Sequence, residues 1–98
     1  MKEITAKELE QKLNAGQDVN IIDVREDTEV TMGKIPGAKH IPLGQIPDHL
    51  EKLDKNEHYY LVCRSGGRSG RACEFLEQHG FRATNVAGGM LAWEGEFE

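Results

Sequence analysis

The chain has 98 residues and a formal net charge of −5 at neutral pH. This length suits a single modest core, so we expect one domain over residues 1–98. The acidic charge argues against nucleic acid as a partner, because binding phosphates requires a basic surface. No apolar run approaches the roughly 18 residues of a membrane span, and the N-terminus turns polar at once. We therefore expect no membrane partner and a cytoplasmic location, with both cysteines reduced.

Helical and strand-like patterns alternate along the chain. Thr5 and Glu8 match a capping box, which predicts the start of the first helix, and short apolar runs are typical of buried strands. In chain order, the patterns predict a helix capped by Thr5 and stopped by Gly16, strands over 20–24 and 40–41, a helix from Pro47, a strand over 59–62, a helix from about Ser69 to Gly80, a strand over 84–86 and a helical turn near Trp93. This alternation predicts an α/β fold, a small and mostly parallel β-sheet flanked by helices on both faces.

Cys63 stands where the strand over 59–62 ends and a loop begins. In parallel sheets, ligands bind beyond the carboxyl ends of the strands. Residues 64–69, the cysteine loop, contain two adjacent glycines and two arginines. Glycine permits positive φ and leaves N–H groups free to surround an anion, and the next helix adds its positive N-terminus. We therefore expect Cys63 to be an exposed loop thiol whose pKa is lowered, which favours the nucleophilic thiolate.

Packing, metal binding and a disulfide are the other roles that the two cysteines could have. Cys63 and Cys73 are too far apart for a metal-binding pair, and no histidines have ligand spacing, so we expect no metal. The helix after the cysteine loop should pack through one apolar face. That face consists of Ala72, Phe75, Leu76 and His79. Cys73 lies at its margin, which predicts a partly buried packing residue.

Two kinds of cysteine loop can hold an anion. In cysteine-dependent phosphatases, five residues separate the cysteine from the arginine that holds the phosphate. Ser69 stands at that position, and Arg68 comes one residue early. The smaller loop has less room for a tetrahedral phosphoryl group but could enclose one sulfur atom bonded to Cys63. The spacing favours sulfur transfer and leaves a phosphatase as the weaker alternative.

Four segments carry a further pattern. They are IIDVRE (21–26) with Glu29 shortly after, GKIPGAKHIP (33–42), YYLVCRSGGRS (59–69) and NVAGGMLAW (85–93). In this order, and over nearly the whole chain, they resemble the single-domain rhodaneses, the thiosulfate sulfurtransferases. Lys34 departs from the family pattern, in which histidine is common, so we assign no role to that position.

The resemblance implies a sulfurtransferase in which Cys63 carries the sulfur, without a cofactor. The Cys63 thiolate would attack the outer sulfur of a donor such as thiosulfate, and cyanide or a thiol would take that sulfur from the resulting persulfide. The substrate-binding residues would be those of the cysteine loop: Arg64, Ser65, Gly66, Gly67, Arg68 and Ser69. Their N–H groups would hold the terminal sulfur, and the two arginine side chains would attract the anionic donor.

Rhodanese-like domains also serve as sulfur carriers in relays or as binding modules. The intact cysteine and loop favour an enzyme or a carrier over a pure binding module, and a protein sulfur acceptor is a further candidate partner. Asp23 and Arg25 are expected to fix neighbouring loops, through an Arg25–Glu29 pair and a turn bond from Asp23. Trp93 is expected in the core, and the four histidines have no predicted role.

Overall fold

One five-stranded sheet lies at the centre of the computed structural model, which describes every residue from Met1 to Glu98. The strands are β1 (Lys2–Thr5), β2 (Asn20–Asp23), β3 (Lys39–His40), β4 (His58–Val62) and β5 (Arg82–Ala87). The α-helices are α1 (Ala6–Asn14), α2 (Asp27–Val30) and α3 (Gly67–Gln78), and 3₁₀ helices cover Leu43–Gln45, Pro47–Lys52 and Gly89–Ala92. The strand order is β1-β5-β4-β2-β3, with every neighbouring pair parallel, so the predicted α/β fold is confirmed.

Helices cover both faces of the sheet. Successive side chains of a strand point to opposite faces, so the apolar strands present a core surface on each face. On one face, strand residues pack with α3; the cluster includes Ile22, Leu61, Ala83, Ala72 and Leu76. On the other face, strand residues pack with α1; that cluster includes Ile21, Val62, Val86, Ala6 and Leu9. Trp93 belongs to the second cluster, as expected. None of the helices has the length and apolar character needed to cross a membrane.

The predicted start and end of the first helix are confirmed. The Glu8 backbone N–H donates to Thr5 Oγ1 at 3.0 Å, and the Thr5 N–H donates to Glu8 Oε1 at 2.9 Å. These two bonds satisfy backbone donors that the first turn leaves free. Gly16 follows the C-cap with φ of 76°, a conformation that ends a helix and suits glycine.

Several element details differ from the prediction. Strand β1 was not predicted, because three of its four residues are exposed and give no apolar run. Helix α3 begins at Gly67, two residues before the predicted start, since the turn after Cys63 is tighter than expected. The helix predicted from Pro47 is a 3₁₀ helix, and the short β3 starts one residue earlier than predicted.

The buried face of α3 also differs. His79 was expected on this face but is exposed at the C-cap, where the helix is already ending. Cys73 was expected to be partly buried and is fully buried instead. Burial raises the pKa of the Cys73 thiol to about 12, so this cysteine is a packing residue that stays protonated at neutral pH.

Candidate active site

The cysteine loop turns back on itself directly after β4. Cys63 follows Val62 at the carboxyl end of β4, and α3 begins only four residues later. Gly66 makes this turn with φ of 108°, a left-handed conformation that side-chain-bearing residues rarely adopt. This conformation brings the Gly66 N–H to 3.1 Å from Cys63 Sγ. Glycine at position 66 therefore allows its own N–H group to donate a hydrogen bond to the Cys63 sulfur.

The sulfur of Cys63 lies among hydrogen-bond donors. Besides the Gly66 N–H, the Ser69 hydroxyl lies 3.3 Å from Sγ. Burial raises the pKa of Cys63, but hydrogen bonds outweigh it; they come from the Ser69 side chain and from the N–H groups of Ser69, Gly66 and Ser65. The pKa of Cys63 is consequently below its ordinary value, as the sequence predicted.

The expectation that Cys63 is an exposed loop thiol is wrong. Only 1% of the residue is exposed, and it packs in the same apolar cluster as Leu61 and Cys73. The reason is the short loop, which folds over the end of β4 instead of projecting from it. Stabilisation of the thiolate therefore comes from hydrogen-bond donors in a buried setting, where hydrogen bonds are stronger than in water.

The 3₁₀ helix Gly89–Ala92 fixes the start of the cysteine loop. The N–H groups of Met90 and Leu91 donate to the carbonyls of Cys63 and Arg64, at 2.8 and 3.0 Å. Gly89 lies so close to these carbonyls that a Cβ at this position would collide with them. The glycine pair before Met90 thus allows a second backbone segment to support the loop.

The two arginines of the loop have different surroundings. Arg68 forms a bidentate ion pair with Glu29, with Nη1–Oε1 and Nη2–Oε2 distances of 2.6 and 2.8 Å. The hydrogen bonds from Arg68 lower the pKa of Glu29 to about 2. Arg64 is exposed and forms no salt bridge. It lines an open groove of about 240 Å³ with side chains that include Met32, Met90 and Leu91.

Asp23 and Arg25 fix the segment that follows β2, as expected of residues that hold neighbouring loops, but with a different partner. The predicted turn bond is present, since Asp23 Oδ1 accepts from the Arg25 N–H at 3.0 Å. The predicted Arg25–Glu29 ion pair is wrong: the Arg25 guanidinium pairs with Asp23 at 2.8 Å and donates to the Gly33 carbonyl. It reaches only the backbone carbonyl of Glu29, at 3.4 Å. The carboxylate of Glu29 is left for Arg68.

Asn85 is the residue that sequence reasoning missed. It lies in β5, is 2% exposed, and has an amide that contacts both Ser69 and Gly66 of the cysteine loop. The available signal was an amide side chain between Thr84 and Val86 in a predicted strand, three residues before the glycine pair. A buried amide has to find hydrogen-bond partners, and here those partners belong to the site.

Comparison with known proteins gives a consistent result. The family model of the rhodanese-like domain matches residues 5–96. A Bacillus subtilis protein, YtwF, provisionally named a sulfurtransferase, is 50% identical over 96 residues, covering 98% of this chain and 93% of YtwF. YrkF of the same organism, provisionally named a sulfur carrier protein, is 38% identical, and this chain spans about half of it, 52%. The crystal structure of a rhodanese-like domain protein from Staphylococcus aureus matches with a TM-score of 0.95 and 52% identity, over 100% of this chain and 97% of that one.

Proposed function

The chain belongs to the family of rhodanese-like domains, and on this basis we propose that it transfers a sulfane sulfur from thiosulfate or a related donor to cyanide or a thiol. The names of its relatives support the broader role of sulfur transfer or sulfur relay. The narrower assignment rests on the surroundings of Cys63. The observation that carries it is the cradle of N–H and hydroxyl donors around a sulfur whose pKa is lowered despite burial.

The reaction proceeds in two displacement steps at sulfur. In the first, the Cys63 thiolate attacks the outer sulfur of thiosulfate; the S–S bond of the donor breaks and sulfite leaves with the electron pair. In the second, cyanide or a thiolate attacks the outer sulfur of the Cys63 persulfide, and the electron pair of the broken S–S bond returns to Sγ. The thiolate is already the reactive form, so no general base is needed.

The cysteine loop provides the binding groups for both steps. The N–H groups of residues 64–69 hold the terminal sulfur, because this sulfur carries the negative charge of the persulfide. Arg64 attracts the dianionic donor, since its guanidinium is exposed and unpaired. Arg68 instead keeps the loop in shape through Glu29. A phosphoryl group fits this site less well, because the arginine that would hold it is one residue early and already paired.

Intact-protein mass measurement after thiosulfate treatment tests the proposal. We expect a gain of one sulfur atom that a reductant removes. Cys63→Ser should abolish the gain, and the matched variant Cys73→Ala should keep it, because Cys73 is buried and protonated. A wild-type protein that gains no sulfur, or a gain that survives Cys63→Ser, would contradict the proposed chemistry.

A persulfide carrier is the second candidate, supported by the similarity to YrkF. An enzyme and a carrier share the Cys63 persulfide and differ in how the sulfur leaves. Multiple turnovers with thiosulfate and cyanide or a small thiol indicate an enzyme. A persulfide that small acceptors do not discharge, but that a protein thiol does, indicates a carrier.

A further inference from the structure

The Asn85 amide has a defined orientation next to the cysteine loop. Its Nδ2 lies 3.0 Å from the Gly66 carbonyl oxygen and 3.4 Å from Glu3 Oε2. Both of these oxygens can only accept, so Nδ2 has to face them as a donor. The amide oxygen Oδ1 therefore faces Ser69, whose Oγ lies 2.5 Å away.

This orientation gives the Ser69 hydroxyl two competing acceptors. Oδ1 of Asn85 cannot donate, so the bond between these two residues requires the proton of Ser69. The Cys63 sulfur, 3.3 Å from Oγ, requires the same proton when it is a thiolate. A hydroxyl carries one proton, so Ser69 can donate to Asn85 or to Cys63 but not fully to both.

We propose that Asn85 is a positioning residue that holds the Ser69 proton while Sγ is uncharged and releases it when charge returns to Sγ. This inference rests on the proposed persulfide cycle. As an acceptor attacks the outer sulfur and the S–S bond breaks, the electron pair moves to Sγ. The Ser69 hydroxyl then rotates from Oδ1 toward Sγ, and its proton stays on Oγ throughout. A leaving thiolate that is stabilised in this way departs faster.

The other titratable groups around this sulfur come from the cysteine loop, where Arg64 is exposed to solvent, and from three further elements. Arg68 of α3 interacts electrostatically with Cys63, but its charge is paired with Glu29 of α2. Glu3 of β1 lies on the far side of the Asn85 amide, and the Cys73 thiol of α3 is neutral. None of them can donate a proton to Sγ by rotating a bond, so the Ser69 hydroxyl is the adjustable donor of the site.

The Gly66 carbonyl does not depend on Asn85 alone. It also accepts from the Gly70 N–H at 3.0 Å, as part of the first turn of α3. Removing the Asn85 side chain therefore leaves one bond that holds the loop in place. The effect on Sγ through Ser69 can thus be separated from a general loosening of the loop.

The test measures how much of Cys63 is thiolate, from the ultraviolet absorbance of the thiolate as a function of pH. Each variant is corrected with the same variant carrying Cys63→Ser. In Asn85→Ala, Ser69 loses its competing acceptor, so the thiolate-to-thiol ratio at a fixed pH should rise by a factor of about 2 to 10, the range for one neutral hydrogen bond. Ser69→Ala should lower the ratio by a similar factor, and adding Asn85→Ala in that background should change it less than about twofold.

Asn85→Asp is the second variant; it keeps an acceptor facing Ser69 but replaces the Nδ2 donor with a charged oxygen. It should lower the thiolate-to-thiol ratio, and the part of this fall that disappears in the Ser69→Ala background carries the test if Asn85→Ala does not fold. A lower or unchanged ratio in Asn85→Ala would overturn the inference, as would an equal effect with and without the Ser69 hydroxyl. Failure of the proposed function is a separate result, since the absorbance titration needs no sulfur donor while the mass gain after thiosulfate does.

Discussion

Replacing Glu29 with glutamine tests how the ion pair with Arg68 supports the cysteine loop. Removing one partner costs about 3–5 kcal/mol for a buried pair and about 0.2–1 kcal/mol for an exposed one. The side chains of Glu29 and Arg68 are each 28% exposed, so their pair lies between these limits. We expect Glu29→Gln to lower the free energy of unfolding by about 1–2 kcal/mol at neutral pH, measured by urea unfolding.

The same variant has a defined pH dependence. Folding lowers the pKa of Glu29 from 4.5 to about 2, so the pair stabilises the protein fully above about pH 4.5 and loses this contribution as pH falls toward 2. The difference in unfolding free energy between wild type and Glu29→Gln should therefore shrink across that interval. Equal stabilities at neutral pH, or a difference that stays constant down to about pH 3, would refute the assignment of this pair.

Three further predictions concern the site. Arg64→Ala should raise the KM for thiosulfate by a factor of roughly 10 to 100, less at high salt, as measured by steady-state kinetics at two ionic strengths. Arg68→Ala should lower the free energy of unfolding, as Glu29→Gln does, and should also lower kcat. Cys73→Ser should retain sulfur transfer. Its free energy of unfolding in urea should be about 1–3 kcal/mol lower than that of Cys73→Ala, because it places a hydroxyl in the apolar cluster around position 73. Aryl phosphates should show no hydrolysis that Cys63→Ser removes, and turnover of such a substrate would favour the phosphatase alternative.

The fold and the centre of the site could be predicted because their signals are local. Short apolar runs give the central strands, and glycines with a capping box give the ends of the first helix. The cysteine at a strand end, followed by a glycine-rich loop, gives the donors around Cys63 and the lowered pKa. All of these features depend on residues within a few positions of one another.

The rest depends on contacts between distant parts of the chain. Glu29, the partner of Arg68, is 39 residues away in α2, and no local pattern favours Arg68 over the nearer Arg25 as the partner of Glu29. Asn85 reaches the loop only because β5 lies beside β4, with Asn85 paired to Leu61. The burial of Cys63 follows from how the loop folds over the sheet. Local spacing contains no information on these three arrangements.

The unpaired arginine side chains determine how this acidic chain attracts an anionic donor. Arg25 is paired with Asp23 and Arg68 with Glu29. Arg64 and Arg71 are exposed and form no salt bridge, and Arg71 lies beside Ser65, Gly66 and Gly67 of the cysteine loop. Attraction of thiosulfate thus depends on exposed charges, which salt screens. Stabilisation of the sulfur itself depends on backbone N–H groups and the Ser69 hydroxyl, which lie beside a buried sulfur and are screened much less. Salt should accordingly weaken the binding of the donor, seen as a higher KM, while leaving the pKa of Cys63 and kcat nearly unchanged.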